Sequence, residues 1–280
     1  MKKNIAYFFC LPALLLIFAV AFYPILNALW LSLHSMNLKM AGGSEKFVGL
    51  NNFLSILKDD RAWTSLLQTL IFTISSVGLE FILGFGIALL LNEVFFGRGA
   101  MRAISLVPWA IPTVVSGLLW LWIFNDQYGI FSKFGSIMSK PTGAMASLII
   151  SDVWKTTPFV SILLLAGLQM ISRELYEAAK IDGATKFKQF LYVTLPLLKP
   201  IIIVTLLFRT LDAFRIFDLV YVMTGGGPGN STETLSLYTY KVLFSYLDFG
   251  YGSSLSVFAF FCVALISFCY LIFLRRSPEC

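Results

Sequence analysis

The chain has 280 residues, 58% hydrophobic and 13% charged, and a mean hydropathy of +0.82, far from the ~25% charged residues of a soluble domain. These values exclude a soluble globular protein and indicate an integral membrane protein, with loops too short for a separate soluble domain. The net charge of +6 is spread over loops without aromatic interleaving, which points to membrane topology and away from nucleic acid.

A helix needs about 20 apolar residues to cross the hydrocarbon core. Six runs meet that requirement: residues 5–31, 66–91, 103–124, 146–170, 197–223 and 255–274. The predicted fold class is all-α, a polytopic membrane protein forming a single transmembrane domain over residues 1–280. The first run follows Lys2 and Lys3 and contains Ala19, Val20 and Ala21, which imitates a cleavable secretory signal. It continues through Pro24 to Leu31, beyond the ~7–15 residue core of a signal peptide, and reads as a retained span.

The loops alternate in charge. One side holds Lys2, Lys3, Arg98, Arg102, Arg173, Lys180, Lys186, Lys188, Lys199, Arg275 and Arg276. The other holds Lys39, Lys46, Lys58, Arg61, Lys133, Lys140 and Lys241. The positive-inside rule therefore places both termini in the cytoplasm. Cys10, Cys262, Cys269 and Cys280 show no metal-ligand spacing and read as inert filler, and the lone His34 reads as a polar residue at a helix end.

Between the fourth and fifth runs lies an amphipathic stretch, Tyr176 to Pro200, on the cytoplasmic side. Ser172 is placed to cap a short helix with Glu174 in its first turn. Leu175, Ala178, Ala179 and Asp182 recur on one helical face, and Gly183 supplies the break. A second helix, residues 185–192, carries Phe187, Phe190 and Leu191, with Pro196 and Pro200 marking the start of the fifth run. Small Ala178 and Ala179 permit close approach of another protein surface, whereas an interfacial lipid helix favours large apolar residues there.

Glu177-Ala178-Ala179, then Asp182-Gly183-Ala184, Phe190 and Leu195-Pro196, resemble the EAA motif of membrane subunits of binding-protein-dependent ABC importers. Val220 to Leu235 (VYVMTGGGPGNSTETL), Val48 to Phe53 and Leu106 to Pro112 resemble the sugar-permease branch related to the maltose, lactose and glycerol-3-phosphate permeases. The resemblance covers nearly the whole chain and implies a type I permease with a coupling helix in the loop 171–196. Glu177, Ala178, Ala179, Asp182 and Gly183 would couple it to a cytosolic ATPase. The implied partners are a second six-helix permease in a heterodimer, two ABC ATPase subunits and an extracytoplasmic solute-binding protein, with membrane lipid around the spans.

The glycine run is not a phosphate loop. Asn230 stands where the second glycine belongs and no lysine follows. It reads as the stop of the fifth span, with Asn230 and Glu233 starting a surface helix near residues 232–247. No cofactor or metal is expected on this chain, and ATP and Mg belong to the partner ATPase.

Ionisable residues inside spans cost about 2.5–3.5 kcal/mol each at mid-helix and mark pathways or paired sites. They are Glu80, Asp152, Lys155, Arg209, Asp212, Arg215 and Asp218. Asp152 to Lys155, Arg209 to Asp212 and Arg215 to Asp218 have i,i+3 spacing and could neutralise one another. Arg209, Asp212, Ala213 and Ile216 form one stripe, and Asp152, Lys155 and Thr156 another. The resemblance places a sugar against these parts of the two helices, implying substrate contacts from Asp152, Lys155, Thr156, Arg209, Asp212 and Ile216. Their carboxylate and guanidinium groups suit hydroxyls, and Trp154 or Phe214 offers a stacking face. Arg215 and Asp218 turn to other faces and read as structural, and Glu80 as pairing with a neighbouring helix.

The expected function is ATP-driven import of a neutral di- or oligosaccharide of the maltose or trehalose type, by alternating access. The alternatives are glycerol-3-phosphate or polyol import, then ion-coupled secondary transport. Lys155, Arg209 and Arg215 could hold a phosphate, but Asp152 and Asp212 would repel it. A secondary transporter predicts an inverted internal repeat, and none is visible. No catalytic residues are expected, since an enzyme needs a convergent nucleophile and base or metal ligands.

Overall fold

The structure, a computed structural model, describes residues 2–39 and 45–275. Arg276 and Cys280 lie outside the described residues. The chain is helical almost throughout, and among the described residues its strands are a two-residue antiparallel ribbon, β1 (His34–Ser35) with β2 (Lys46–Phe47).

The first span consists of α1 (Lys2–Ile17) and α2 (Tyr23–Ser32), joined by a π-helical turn at Phe18–Phe22. After the ribbon come α3 (Asn51–Leu57) and the 33-residue α4 (Asp60–Asn92). Next are α5 (Arg98–Ser105), α6 (Val107–Ala110) and α7 (Thr113–Ile123). The fourth span is α8 (Pro141–Met170), followed by α9 (Arg173–Ile181) and α10 (Lys186–Gln189). A second π-helical turn, Phe190–Thr194, leads α10 into α11 (Leu195–Phe214). The chain ends with α12 (Asp218–Met223), α13 (Leu235–Tyr240), a third π-helical turn at Lys241–Ser245 and α14 (Phe249–Arg275). The first two π turns share a cause. In each, the residue before a proline, Tyr23 or Leu195, donates its N–H five residues back, to Phe18 or Phe190. The proline ring crowds the preceding turn and offers no donor of its own.

Five helical segments are long and apolar enough to cross a membrane, residues 9–32, 60–92, 141–170, 186–214 and 249–274, and a sixth is broken. That sixth corrects the run expected at residues 103–124: Arg98–Ala110 and Thr113–Ile123 are bent by 88°. Ile111 is extended ahead of Pro112 (φ −73°, ψ 131°), as a residue preceding proline prefers. The fifth span also differs from its expected bounds. It starts at Lys186, since the predicted second coupling helix runs on into α11, and it stops at Phe214 instead of reaching residue 223. The helix expected from residue 232 starts at Leu235, and Thr232, Glu233 and Thr234 are buried, so its start is not a surface feature.

The chain forms two compact units, residues 1–64 with 238–262 and residues 65–237 with 263–280. In the first, His34 is buried, its Nδ1–H donates to the Trp30 carbonyl (2.7 Å) and its ring stacks on that of Trp30. Asp59 accepts from Tyr238 (2.6 Å) and Tyr251 (2.5 Å).

The second unit has the polarity of a membrane protein. On α4, Ser65, Thr69, Thr73, Ser76 and Glu80 are buried along one stripe while Ile74, Ile82 and Leu90 face outward. On α8, Ser147, Ser151, Asp152, Thr156, Thr157 and Ser161 are buried. Small and polar residues therefore mediate helix contact where lipid covers the large apolar ones. Gly84 and Gly167 allow neighbouring helices to approach closely. A Cβ on Gly84 would meet Val160 Cγ1 at 2.8 Å, and one on Gly167 would meet Leu198 Cδ2 at 2.8 Å. Around them Ala88, Leu91, Leu164, Leu165 and Leu168 complete a core between α4, α8 and α11.

Candidate functional site

Three helices place the ionisable residues of the second unit at one point. The α4 stripe brings in Ser76 and Glu80, α8 brings Asp152 and Thr156, and α11 brings Arg209. Arg209 is 3% exposed. Its Nε donates to Glu80 Oε2 (2.6 Å) and its Nη2 to Glu80 Oε1 (2.9 Å), a bidentate pair. Nη2 also lies 3.3 Å from Asp152 Oδ2, and Nη1 donates to Asp212 Oδ2 at 2.6 Å. Ser76 Oγ sits 2.9 Å from Glu80 Oε1 and 2.5 Å from Asp152 Oδ2, and Thr156 Oγ1 sits 2.5 Å from Glu80 Oε1. One guanidinium thus holds three carboxylates from three helices, and two hydroxyls take up remaining lone pairs.

The network corrects part of the sequence reading. Arg209 and Asp212 pair as their i,i+3 spacing suggests. Asp152 does not pair with Lys155, and Arg215 does not pair with Asp218; among the described residues Lys155 forms no ion pair, and Arg215 Nε donates to the Leu211 carbonyl (3.1 Å). Glu80 does pair with a neighbouring helix, and it is the principal partner of Arg209.

In front of the network lies a cleft of ≈ 380 Å³, within the usual range for a small-molecule pocket. Of the six residues assigned to substrate, Asp152, Lys155, Thr156, Asp212 and Ile216 line it. Arg209 does not reach the cleft and instead braces Asp152 and Asp212 from behind. Asp212 is the most open of them, its side chain 70% exposed.

Helical-face arithmetic missed the rest of the wall. α11 stops at Phe214, and the non-helical residues 215–217 turn Arg215 and Phe217 into the cleft together with Asp218, the first residue of α12. Arg215 and Asp218 are therefore lining residues, not remote structural ones. Trp109 and Thr113 enter from either side of the Pro112 break. The aromatic surfaces are Trp109 and Phe217, whereas Phe214 is buried and Trp154 packs edge-on against Trp120 (5.7 Å) outside the cleft. The signal for Trp109 was the sequence Pro108-Trp109-Ala110-Ile111-Pro112, whose two prolines frame the break.

The second predicted site is α9. Ser172 occupies its N-cap with extended backbone but makes no side-chain cap bond. Its far end is closed by Gly183 in the left-handed region (φ +78°), with Ala184 N–H donating to the Ala179 carbonyl (2.8 Å) and Gly183 N–H to the Lys180 carbonyl (3.0 Å). This is the Schellman arrangement, and it explains why glycine follows Asp182. Glu177, Ala178, Asp182 and Gly183 are exposed, and Ala179 is half-buried. Beside them the apolar side chains of Leu175, Ile181 and Phe187 are exposed as well.

Residues 80–277 match the family described as binding-protein-dependent transport system inner membrane component. The chain belongs to this family. Its members are transport permeases, not enzymes, and the chain is a multi-pass membrane subunit that works with partner subunits. It is 43% identical over 279 residues to the trehalose/maltose transport system permease protein MalF of Thermococcus litoralis, covering 96% of this chain and 93% of that protein. It is 43% identical to the trehalose transport system permease protein SugA of Mycobacterium tuberculosis, covering 96% and 88%. It is 38% identical to the sulfoquinovosyl glycerol transport system permease protein SmoG of Agrobacterium fabrum, covering 95% and 89%. Among solved structures, a chain of a bacterial ABC transporter involved in alginate import superimposes with a TM-score of 0.84 at 21% identity, over 99% of this chain and 97% of that one.

Proposed function

We propose that the chain is the membrane-spanning subunit of an ATP-driven importer that carries a neutral di- or oligosaccharide of the maltose or trehalose type. The carrying observation is the cleft, where carboxylates, bases, a threonine and Trp109 converge on one face of a buried ion network. Asp152, Asp212 and Asp218 accept hydrogen bonds from sugar hydroxyls, as does Thr156, whose own proton goes to Glu80, and Lys155 and Arg215 donate them. Trp109 offers its ring to a pyranose face. Around the cleft, four carboxyls (Glu80, Asp152, Asp212 and Asp218) stand against three bases (Lys155, Arg209 and Arg215), a balance that disfavours glycerol-3-phosphate and supports a neutral substrate. The relatives named for trehalose and maltose support the same choice.

Both termini face the cytoplasm, and the exposed outer face of α9 docks into a cytosolic ATPase through Glu177, Ala178, Ala179, Asp182 and Gly183. Two such ATPases hold ATP and Mg, a second six-helix permease completes a heterodimeric pore, and an extracytoplasmic binding protein delivers the sugar. Closure of the ATPases moves α9, and with it the rigidly bonded α8 and α11, so that the cleft alternates between the two sides. The test is to tag the chain, extract it in mild detergent and identify what copurifies, with and without Glu177→Lys. An ATPase and a second permease should accompany the wild type and the ATPase should be lost from the variant. A chain that purifies alone in both cases defeats the proposal and favours an ion-coupled transporter.

A further inference from the structure

A second and larger cavity, ≈ 920 Å³, lies beside α9 among the ends of α4, α5, α8 and α10. Arg98, Arg102, Arg173, Lys180 and Lys186 line it against a single carboxylate, Glu93. None of these five cations forms an ion pair among the described residues. Five bases facing one another across a cavity repel, so an anion of multiple charge or strong acceptor character is the ligand that would settle them. Arg102 is the most committed of the five. Its Nη2 donates to the Leu91 carbonyl (3.1 Å), the Gln169 amide oxygen turned toward it accepts from Nη2 at 2.5 Å, and its Nε is buried without a hydrogen-bond partner. Arg98 donates only to the backbone carbonyls of Asn92 and Glu93, at 3.4 and 3.5 Å.

We propose that this cavity binds the phosphate of an anionic phospholipid, with Arg98 and Arg102 as its main ligands. Three observations select a lipid. The wall is mixed, with Leu168, Ile171 and Phe190 beside the bases, so an acyl chain as well as a headgroup finds its match there. Next, α5 has the make-up of an interfacial helix: Arg98 and Arg102, four residues apart, line the cavity, while Met101 and Ile104 are exposed. The preceding loop adds exposed Val94 and Phe96, and the α5–α6 segment stands at 88° to α7, as a helix in the membrane plane stands to one that crosses it. Finally, the cavity uses Arg173, Tyr176 and Lys180, one face of α9, leaving exposed Leu175, Ala178 and Ile181 on the other face for a protein partner. Basic cavities between spans near the membrane surface are a known setting for acidic headgroups.

The test is native mass spectrometry of the detergent-purified chain, with whatever partners it retains, after incubation with equal parts phosphatidylglycerol and phosphatidylcholine of matched acyl chains. Wild type should retain phosphatidylglycerol in preference. Arg98→Gln with Arg102→Gln should weaken the preference about fivefold for each base removed, and Arg98→Lys with Arg102→Lys should keep most of it. Excess inorganic phosphate should leave the bound lipid in place. Equal retention of the two lipids by wild type overturns the proposal, as does an unchanged preference in the glutamine variant. Displacement by inorganic phosphate also overturns it, in favour of a soluble-anion site. If the double variant does not fold, exposed Lys180→Gln carries the test alone, with about a fivefold loss expected and no loss refuting the site.

Discussion

Arg209→Gln is the sharpest perturbation of the site, because one side chain holds Glu80, Asp152 and Asp212. Asp212 is open to solvent and adapts, but Glu80 and Asp152 are 0% and 4% exposed, and the variant leaves both carboxylates buried without a cation. Breaking a buried pair in this way costs about 3–5 kcal/mol, more than a hundredfold in the folding equilibrium at ~1.4 kcal/mol per factor of ten. The assay is thermal unfolding of the purified protein in mild detergent, followed by tryptophan fluorescence. Glu80→Gln combined with Arg209→Gln removes both halves of the bidentate pair and should regain part of the loss, because it leaves one stranded carboxylate, Asp152, where the single variant leaves two. Unfolding of Arg209→Gln at the wild-type temperature refutes the reasoning, and so does a double variant no more stable than the single one.

Three further predictions follow from the packing and the first unit. Gly84→Val should destabilise by about 1–3 kcal/mol, because its Cβ meets Val160, whereas Gly86→Val, with open space around it, should unfold like wild type; equal unfolding temperatures would remove the close α4–α8 approach. Burial alone would raise the pKa of Asp59, but hydrogen bonds from Tyr238, Tyr251 and the Arg61 and Ala62 amides hold it below the ordinary 3.8. A lowered folded-state pKa gives stability that is present above the unfolded value and lost as pH falls through the folded one. Asp59→Asn should therefore be less stable than wild type at neutral pH, with the gap closing below about pH 4, and a gap that persists in acid denies the carboxylate its role. Gly183→Ala should destabilise α9 by about 1 kcal/mol or more, since residue 183 has φ +78°, and should weaken ATPase copurification without removing the permease from the membrane.

Much of this architecture was legible in the sequence, and the illegible parts share a cause. Apolar run length places the spans because a hydrocarbon slab imposes a length, and the Asp182-Gly183 stop is visible because a left-handed residue demands glycine. The break at Pro112 escaped because a hydropathy run averages over a single proline in an otherwise apolar stretch. Asp152, Lys155, Thr156 and Asp212 were found in the cleft because each lies on a continuous helix, where period and face are linked. Arg215 and Phe217 were missed because α11 ends at Phe214, beyond which no helical face exists. Glu80 and Arg209 lie 129 residues apart, and nothing local in either span names the other as its partner. The i,i+3 pairs looked sufficient only because sequence shows the neighbours on one helix and hides those across the interface.

The most direct test of the central claim is uptake of labelled trehalose or maltose into proteoliposomes carrying the assembled transporter, supplied with its binding protein outside and ATP within. The account predicts ATP-dependent uptake by the wild type, and loss of uptake in Asp212→Asn while the ATPase and second permease remain bound. Uptake driven by an ion gradient without ATP, or an Asp212→Asn transporter that carries sugar at the wild-type rate, would contradict it.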